Sequence, residues 1–445
     1  MTIDLIIKNG MIAMEGEGMV NADLAIEGGR ITAMGANLNG KSAEKVIDAT
    51  GMQVLPGAID PHSHTNDPGY LNREDFAHAG RAALLGGVTT YIEMPLVKDI
   101  DDETSLKERI NDGNKSALTD FSVYAGFIRE KNYGAVKGLS KMGAMAFKIF
   151  TCRPFQASDD TIYKIEEETA ATNSIATFHA EDETIINLMT NRLASRRDQI
   201  AVHEARPPEG EASAIHRVGI YSRLTHSPIH IAHLSSEMGA QTIRELKRLK
   251  VDITSETCPH YLIFTRKDVE KLGPYIKMSP SLKSSNDVDA LWAALDDGTV
   301  EMVATDHAPG TRAEKEIGWE DPWKAWGGVP GLATMFPLLY TYGFIKGRLS
   351  LNSLLKVSSS NAASRFGLRG KGKLTVGNSA DVIIIDPKYE RKVEGADLYK
   401  AGYSPFDGMM LKGWPKYVIR RGELVVEDWE LIAKPGSGRY IKMER

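Results

Sequence analysis

His62 and His64 flank a single serine in the run Asp60-Pro-His-Ser-His. Alternate residues of an extended chain point to one side, so both imidazoles can reach one point. Imidazole is the commonest neutral ligand for zinc and related metals. A polar turn that happens to hold two histidines is the competing reading. Three more apolar runs end in groups of similar chemistry: His179 in Thr-Phe-His-Ala-Glu, His233 in Ile-Ala-His-Leu-Ser and Asp306 in Ala-Thr-Asp-His-Ala-Pro. Taken singly, each fits a hydrogen-bonded strand end. Four histidines and an aspartate that all fall at strand ends are hard to obtain by chance. Lys148, in Ala-Phe-Lys-Ile-Phe, joins them. An ammonium inside an apolar strand is costly. Either it pairs with a buried carboxylate, or its amine loses the proton, captures CO2 and becomes an anionic carbamate that can bridge two metals.

These residues need elements that bring distant strand ends together. Candidate strands are 53–59, 89–94, 121–125, 144–150, 174–178, 229–232, 252–254 and 302–304, with helical periodicity over 75–85, 103–114, 161–172, 236–249 and 288–295. Eight strand-then-helix units predict an α/β protein, a (β/α)8 TIM barrel over residues 54–370, with its chemistry at the C-terminal ends of the strands. An open doubly wound sheet is the alternative. It would usually place a glycine-rich phosphate loop after the first strand, where this chain has Asp60-Pro-His-Ser-His instead. Residues 1–53 and 371–445 read as short strands (4–8, 24–27, 30–34, 373–376, 382–385, 417–420, 423–427), with turns at Asn9-Gly10, Gly28-Gly29, Gly377-Asn378 and Arg421-Gly422. Neither end holds enough apolar residues for its own core, so both are expected to build one small β-sandwich domain.

Composition narrows the class. The 445 residues carry a net charge of −5, 54 basic against 59 acidic side chains, which argues against a nucleic-acid partner. Two cysteines, Cys152 and Cys258, exclude a disulfide framework or a cysteine-rich zinc module. No apolar stretch is long enough for a membrane helix and Met1–Gly10 lacks a signal-peptide pattern, so the expectation is a cytoplasmic globular protein.

The motifs resemble those of the cyclic-amide hydrolases in the amidohydrolase superfamily, the group of allantoinase, hydantoinase/dihydropyrimidinase and dihydroorotase. They run nearly end to end: Leu55-Pro-Gly-Ala-Ile-Asp-Pro-His-Ser-His, Gly86-Gly-Val-Thr-Thr, Phe147-Lys-Ile-Phe, His179-Ala-Glu, His233-Leu-Ser-Ser, Thr257-Cys-Pro-His-Tyr, Thr305-Asp-His-Ala-Pro and Trp326-Gly-Gly. The resemblance implies two divalent metal ions per chain, zinc by default, with iron, cobalt and manganese suited to similar ligands. His62, His64 and Asp306 would hold the more buried ion and His179 and His233 the other, with carboxylated Lys148 between them. A hydroxide activated by both ions would attack the ring carbonyl, and Asp306 would carry its proton to the leaving nitrogen. Cys258 and His260 read as supporting residues. A non-catalytic scaffold would have lost ligands that are all present here, and a single-metal deaminase would not need Lys148.

Departures from the subfamilies point to the substrate. Where dihydroorotases place an Arg, an Asn and a His, this chain has Asn66, Leu96 and Gly310; where D-hydantoinases place a Tyr, it has Arg153. The resemblance therefore implies a small cyclic ureide or imide, allantoin first and a 5-substituted hydantoin second. Asn66, Arg153 and Ser279 are the candidate substrate-binding residues. Arg153 is read as reaching the pocket rim or as forming a surface ion pair. The family implies a homodimer or homotetramer, and no membrane partner is expected.

Overall fold

The computed structural model describes residues 3–36, 38, 42–65, 68–144 and 146–443. Both ends of the chain meet in one nine-stranded sheet. Ile3–Met14, Gly18–Glu27, Arg30–Gly35, Ala43–Asp48 and Gln53–Pro56 come from the N-terminal side, and Val382–Ile385, Pro415–Arg420, Glu423–Glu427 and Glu430–Leu431 from the C-terminal side. The join is the antiparallel ladder between Gln53–Pro56 and Val382–Ile385, where Val54 stands opposite Ile384. One face packs Leu5, Ile7, Leu24, Ile26, Val382 and Ile419 into a shared core. The apolar surface that each end lacks alone is supplied by the other.

Two terminal expectations are corrected. Asn9-Gly10 does not end a strand. Ile3–Met14 runs through it with a register shift between Ile7 and Gly10, and Asn9 sits at φ 58°. This is a β-bulge, and a Cβ on Gly10 would lie 2.6 Å from Val54 Cγ2. Residues 373–376 form no strand. Gly372 and Gly377 bracket them at φ 83° and 94°, and the sheet contact is made just beyond, between Arg30 and Ser379.

Eight parallel strands fill the middle of the chain. Ala58–Ser63, Val88–Glu93 and Asp120–Val123 form one sheet; Phe147–Phe150, Ala176–His179, Ile229–Leu234, Ile253–Thr257 and Met302–Val303 form another. Parallel bridges join the two sheets at both edges, Ala125 to Phe147 and Ser63 to His307. At these edges Lys148 N donates to Ala125 O and His64 N to His307 O, each at 2.8 Å. The expected strand 53–59 is two strands, divided at Gly57, where a Cβ would stand 2.3 Å from Thr89 Oγ1.

Helices return the chain between strands. Phe76–Leu85 starts on Asp75, whose carboxylate accepts from His78 N at 2.9 Å, and Glu103–Ser116 starts on a reciprocal Asp102/Ser105 capping box. The 18-residue helix Pro208–Thr225 has no counterpart among the sequence expectations. Its buried face includes Gly210, Ala212, Ala214, Gly219 and Ser222, small residues that leave little hydrophobic periodicity to read.

The helix Asp159–Ala171 buries Glu166, with one carboxylate oxygen 3.3 Å from Thr225 Oγ1 and the other without a partner among the described residues. Burial pushes this carboxyl up from 4.5 to about 9. The folded state therefore holds a proton that the unfolded chain releases above pH 4.5, and stability falls as pH rises through that window. Glu166→Gln is expected to stabilise the protein more at pH 8 than at pH 5. The difference is bounded at about 4 kcal/mol for three pH units. Urea unfolding at the two pH values measures it, and an equal gain at both would refute the assignment.

Candidate metal centre

The first parallel strand ends at His62-Ser63-His64, and the fourth carries Lys148. The fifth ends at His179, the sixth carries His233, and Asp306 follows the eighth. All six side chains line one cavity of about 160 Å3. His62 Nε2 and His64 Nε2 are 3.2 Å apart, and Asp306 Oδ1 lies 3.3 and 3.2 Å from them. Three ligand atoms thus converge on one point. The His179 and His233 rings meet edge to face at 4.5 Å, and His233 is 5.5 Å from His62.

Outer contacts fix which nitrogen each histidine offers. His64 Nδ1 lies 2.8 Å from Met94 O, a carbonyl that can only accept, so Nδ1 carries the proton and Nε2 faces the cavity. His62 Nδ1 donates to Glu256 Oε1 at 2.5 Å, with the same result. Glu256 also accepts from His230 Nε2 at 3.2 Å, and although burial disfavours its charge, His62 and His230 hold it down at about 2. His179 is turned the other way. Its Nε2 donates to Glu181 at 2.7 Å, and Glu181 also accepts from Arg206. His233 Nδ1 is buried without a hydrogen-bond partner among the described residues.

Burial lowers the proton affinity of His62, His179 and His233, so they are neutral ligands. Burial pushes Asp306 the opposite way, but the adjoining His62 and His64 outweigh it and keep the carboxylate ionised. His233 and Asp306 both adopt positive φ, 41° and 46°. Such backbone costs about 1–3 kcal/mol in a non-glycine residue and persists where the surroundings enforce it. Here Thr305, beside Asp306, is pinned by Asp60, which accepts from its amide at 2.9 Å and its hydroxyl at 2.5 Å.

Lys148 is 1% exposed, and its side-chain amine makes no hydrogen bond or ion pair among the described residues. Its Nζ lies 5.0 Å from the Phe150 ring centre. Burial lowers it to about 8, against the pull of Asp306 and Glu256. The buried ion pair that the sequence left open is not formed.

Ser279 and Leu96 both line the cavity. Arg153 reaches the mouth, but its side chain is 76% exposed, 3.5 Å from Glu183. Asn66 lies outside the described residues. Cys258 and His260 are buried away from the cavity lining, and burial drives His260 down to about 4. Sequence reasoning missed Glu256, Glu181 and Arg206. Glu181 was visible in His179-Ala-Glu, whereas the Arg206 contact spans 25 residues and no spacing rule announces it. Cys152, also in the wall, is pushed up to about 12 by burial and stays a thiol.

Neutral imidazoles and an ionised carboxylate that converge in one cavity are a donor set suited to a divalent ion, and known proteins resemble the chain as follows. Residues 53–425 match the profile of the amidohydrolase family. An L-hydantoinase from Paenarthrobacter aurescens is 33% identical over 453 residues, 98% of each chain. An allantoinase from Rubrobacter xylanophilus is 34% identical over 455 residues, 99% of this chain and 98% of its own. The solved structure of an L-hydantoinase (dihydropyrimidinase) from Arthrobacter aurescens superposes with a TM-score of 0.95 at 31% identity, covering 99% of this chain and 100% of that one. A dihydropyrimidinase from Brevibacillus agri superposes at 0.92 with 27% identity, covering 99% of each chain. The chain belongs to the amidohydrolase family. That family is metal-dependent, and His62, His64 and Asp306 fit a divalent ion.

Glu256→Gln keeps the shape but removes the charge that orients His62. Loss of such outer contacts typically costs 10–100-fold in metal affinity. Competition with a chromophoric chelator is expected to show a loss in that range with the circular dichroism spectrum unchanged; wild-type affinity would refute the orienting role.

Proposed function

We propose that this chain opens the ring of a five-membered cyclic ureide, with allantoin hydrolysed to allantoate as its own reaction. The chain is a cyclic amidohydrolase, as its family and its full-length relatives support. We read the two parallel sheets, bridged at both edges, as one (β/α)8 barrel over residues 54–370. The terminal strands form a β-sandwich domain from 1–53 and 371–445. Barrels of this kind carry their chemistry at the C-terminal strand ends, where His62, His64, His179, His233 and Asp306 lie, with Lys148 inside its strand.

The observation that carries the reading is Lys148, a buried lysine without an ionic partner, beside four histidines and Asp306. Its neutral amine would add to CO2, forming an N–C bond and releasing a proton, and the resulting carbamate supplies negative charge that the neutral histidines lack. His62, His64 and Asp306 would hold one divalent ion and His179 and His233 a second, with the Lys148 carbamate shared; zinc suits this set, as do iron, cobalt and manganese. When bound, such ions polarise a carbonyl and make water nucleophilic near neutral pH. Asp306 accepts the proton of the attacking water at its carboxylate and returns it to the ring nitrogen as the C–N bond breaks. Ser279 offers a hydroxyl to the ring from the wall. Arg153 can meet only a substituent long enough to leave the cavity, and Asn66 remains a candidate donor and acceptor from the sequence. Leu96, Phe150 and Phe155 give the cavity lining apolar surface. That surface favours a second reading, a hydantoin with an apolar 5-substituent. The family suggests a homodimer or homotetramer.

A panel of allantoin, 5-substituted hydantoins, dihydrouracil and dihydroorotate, assayed with defined metals, tests this. We expect allantoin to have the highest kcat/KM and dihydroorotate to be at least about a hundredfold poorer, about 2.7 kcal/mol in transition-state binding. A higher value for an aryl hydantoin selects the second reading; dihydroorotate turnover without ureide turnover rejects both. Lys148→Ala is expected to lose most bound metal, measured by plasma mass spectrometry, and most activity, with short carboxylates restoring part of each. Full metal content in that variant would refute the carbamate role.

A further inference from the structure

A second cavity, of about 390 Å3, opens where the N-terminal and C-terminal strands meet, and it shares no lining residue with the metal centre. Three guanidinium groups from separate segments line it: Arg30 after the Gly28-Gly29 turn, Arg421 after the strand Pro415–Arg420, and Arg439 near the C-terminal end. They differ in how far they are engaged. Arg421 is paired with the buried Asp120 and donates to Ser437 O at 2.9 Å. Arg30 gives one nitrogen to Gly377 O at 2.8 Å. The Arg439 guanidinium makes no hydrogen bond or ion pair among the described residues; its backbone is held, the amide by Asp120 at 3.1 Å and the carbonyl by Phe121 N at 3.0 Å. Ser379, in the same wall, likewise leaves its hydroxyl without a partner among the described residues. The one acid in the wall, Glu423, already accepts from Arg420 at 2.7 Å.

The wall is therefore positive, in a chain whose net charge is −5. Gathering like charges costs energy that a bound anion recovers. Burial, and then Arg439, lower the proton affinity of Arg421 to about 10, as expected for cations set against one another. The wall is also sterically defined. A Cβ on Gly29 would stand 2.7 Å from Arg421 O, so the two turns are packed backbone to backbone. Donors that approach from several sides suit a tetrahedral anion, whereas a single guanidinium fork satisfies a planar carboxylate.

We propose that this cavity binds a small phosphate-bearing molecule, held by Arg30 and Arg439 with Ser379 as an added donor and Arg421 as the fixed charge behind them. The ligand joins segments from both ends of the chain, so its binding also stabilises the fold by mass action.

Titration calorimetry on the full-length, metal-loaded protein tests this, at constant ionic strength, with inorganic phosphate, glycerol 3-phosphate and succinate as probes. Saturable binding of both phosphates is expected, at least tenfold tighter than that of succinate. The double variant Arg30→Ala/Arg439→Ala is expected to lose at least tenfold in phosphate affinity and the accompanying rise in Tm. Its kcat/KM should stay within twofold of wild type, because neither side chain touches the metal centre. Arg439→Ala alone, which removes an exposed side chain with no partner, provides the same comparison should the double variant fold poorly. Equal phosphate binding by wild type and variants would place the anion at the metal centre or on the general surface and overturn the proposal. So would the absence of saturable binding. Succinate bound as tightly as phosphate would overturn the phosphate assignment.

Discussion

Glu256 lies buried under the cavity and accepts from His62 at 2.5 Å and His230 at 3.2 Å. An imidazole that gives its Nδ1 proton outward has only Nε2 to offer inward, so one carboxylate decides the orientation of His62. The position of His62 in turn defines where His64 and Asp306 can meet it, at 3.2 and 3.3 Å. A buried carboxylate is tolerable only with its charge compensated and its oxygens hydrogen-bonded, and both oxygens of Glu256 are occupied by imidazole. The centre is thus organised from beneath, by a residue that does not line the cavity.

Glu181 shows the same logic with the opposite outcome. It takes the Nε2 proton of His179 and is neutralised by Arg206, so His179 presents Nδ1. Two histidines turned one way and a third the other let ligands from neighbouring strands converge without sharing a ring orientation. Lys148 has no such outer partner, and burial leaves its amine near the midpoint of titration at about 8. In a cavity of neutral rings, Asp306 and Glu256 act on this amine only at a distance, and no carboxylate among the described residues touches it.

What the sequence disclosed follows from how local each signal was. That His62, His64, Lys148, His179, His233 and Asp306 would meet was readable because each sits in or at the end of an apolar run within a few residues, and all six line one cavity. Eight strand positions came out within a few residues for the same reason. Contacts across the chain were not readable: Glu256 reaches His62 over 194 positions, and Arg206 enters the wall from a loop with no repeating pattern. Arg153, chosen by its place in a motif, stands at the cavity mouth with its side chain 76% exposed and 3.5 Å from Glu183, and Arg206 lines the same cavity from a distant loop. Asn9-Gly10 carried a genuine turn signal, but the strand absorbs it as a bulge because Val54 needs the space that a side chain on Gly10 would fill.

The ends of the chain are tied to the middle by charge as well as by the shared sheet. Asp120, at the start of the third parallel strand, is fully buried and accepts from Lys371 at 2.9 Å, from Arg421, and from the amide of Arg439. Asp381 accepts from the same Lys371 at 2.8 Å and from the amide of Arg421 at 3.0 Å. Removing one partner from such a network leaves an uncompensated buried charge, at a cost of about 3–5 kcal/mol. Lys371, Asp381, Arg421 and Arg439 all lie in the C-terminal segment, whereas Asp120 belongs to the parallel strands whose side chains line the cavity. Folding the parallel strands without the C-terminal segment would strand Asp120 as a bare buried carboxylate. The third strand is therefore completed by residues made some 250 positions later, and the C-terminal segment is part of what holds the parallel strands in register.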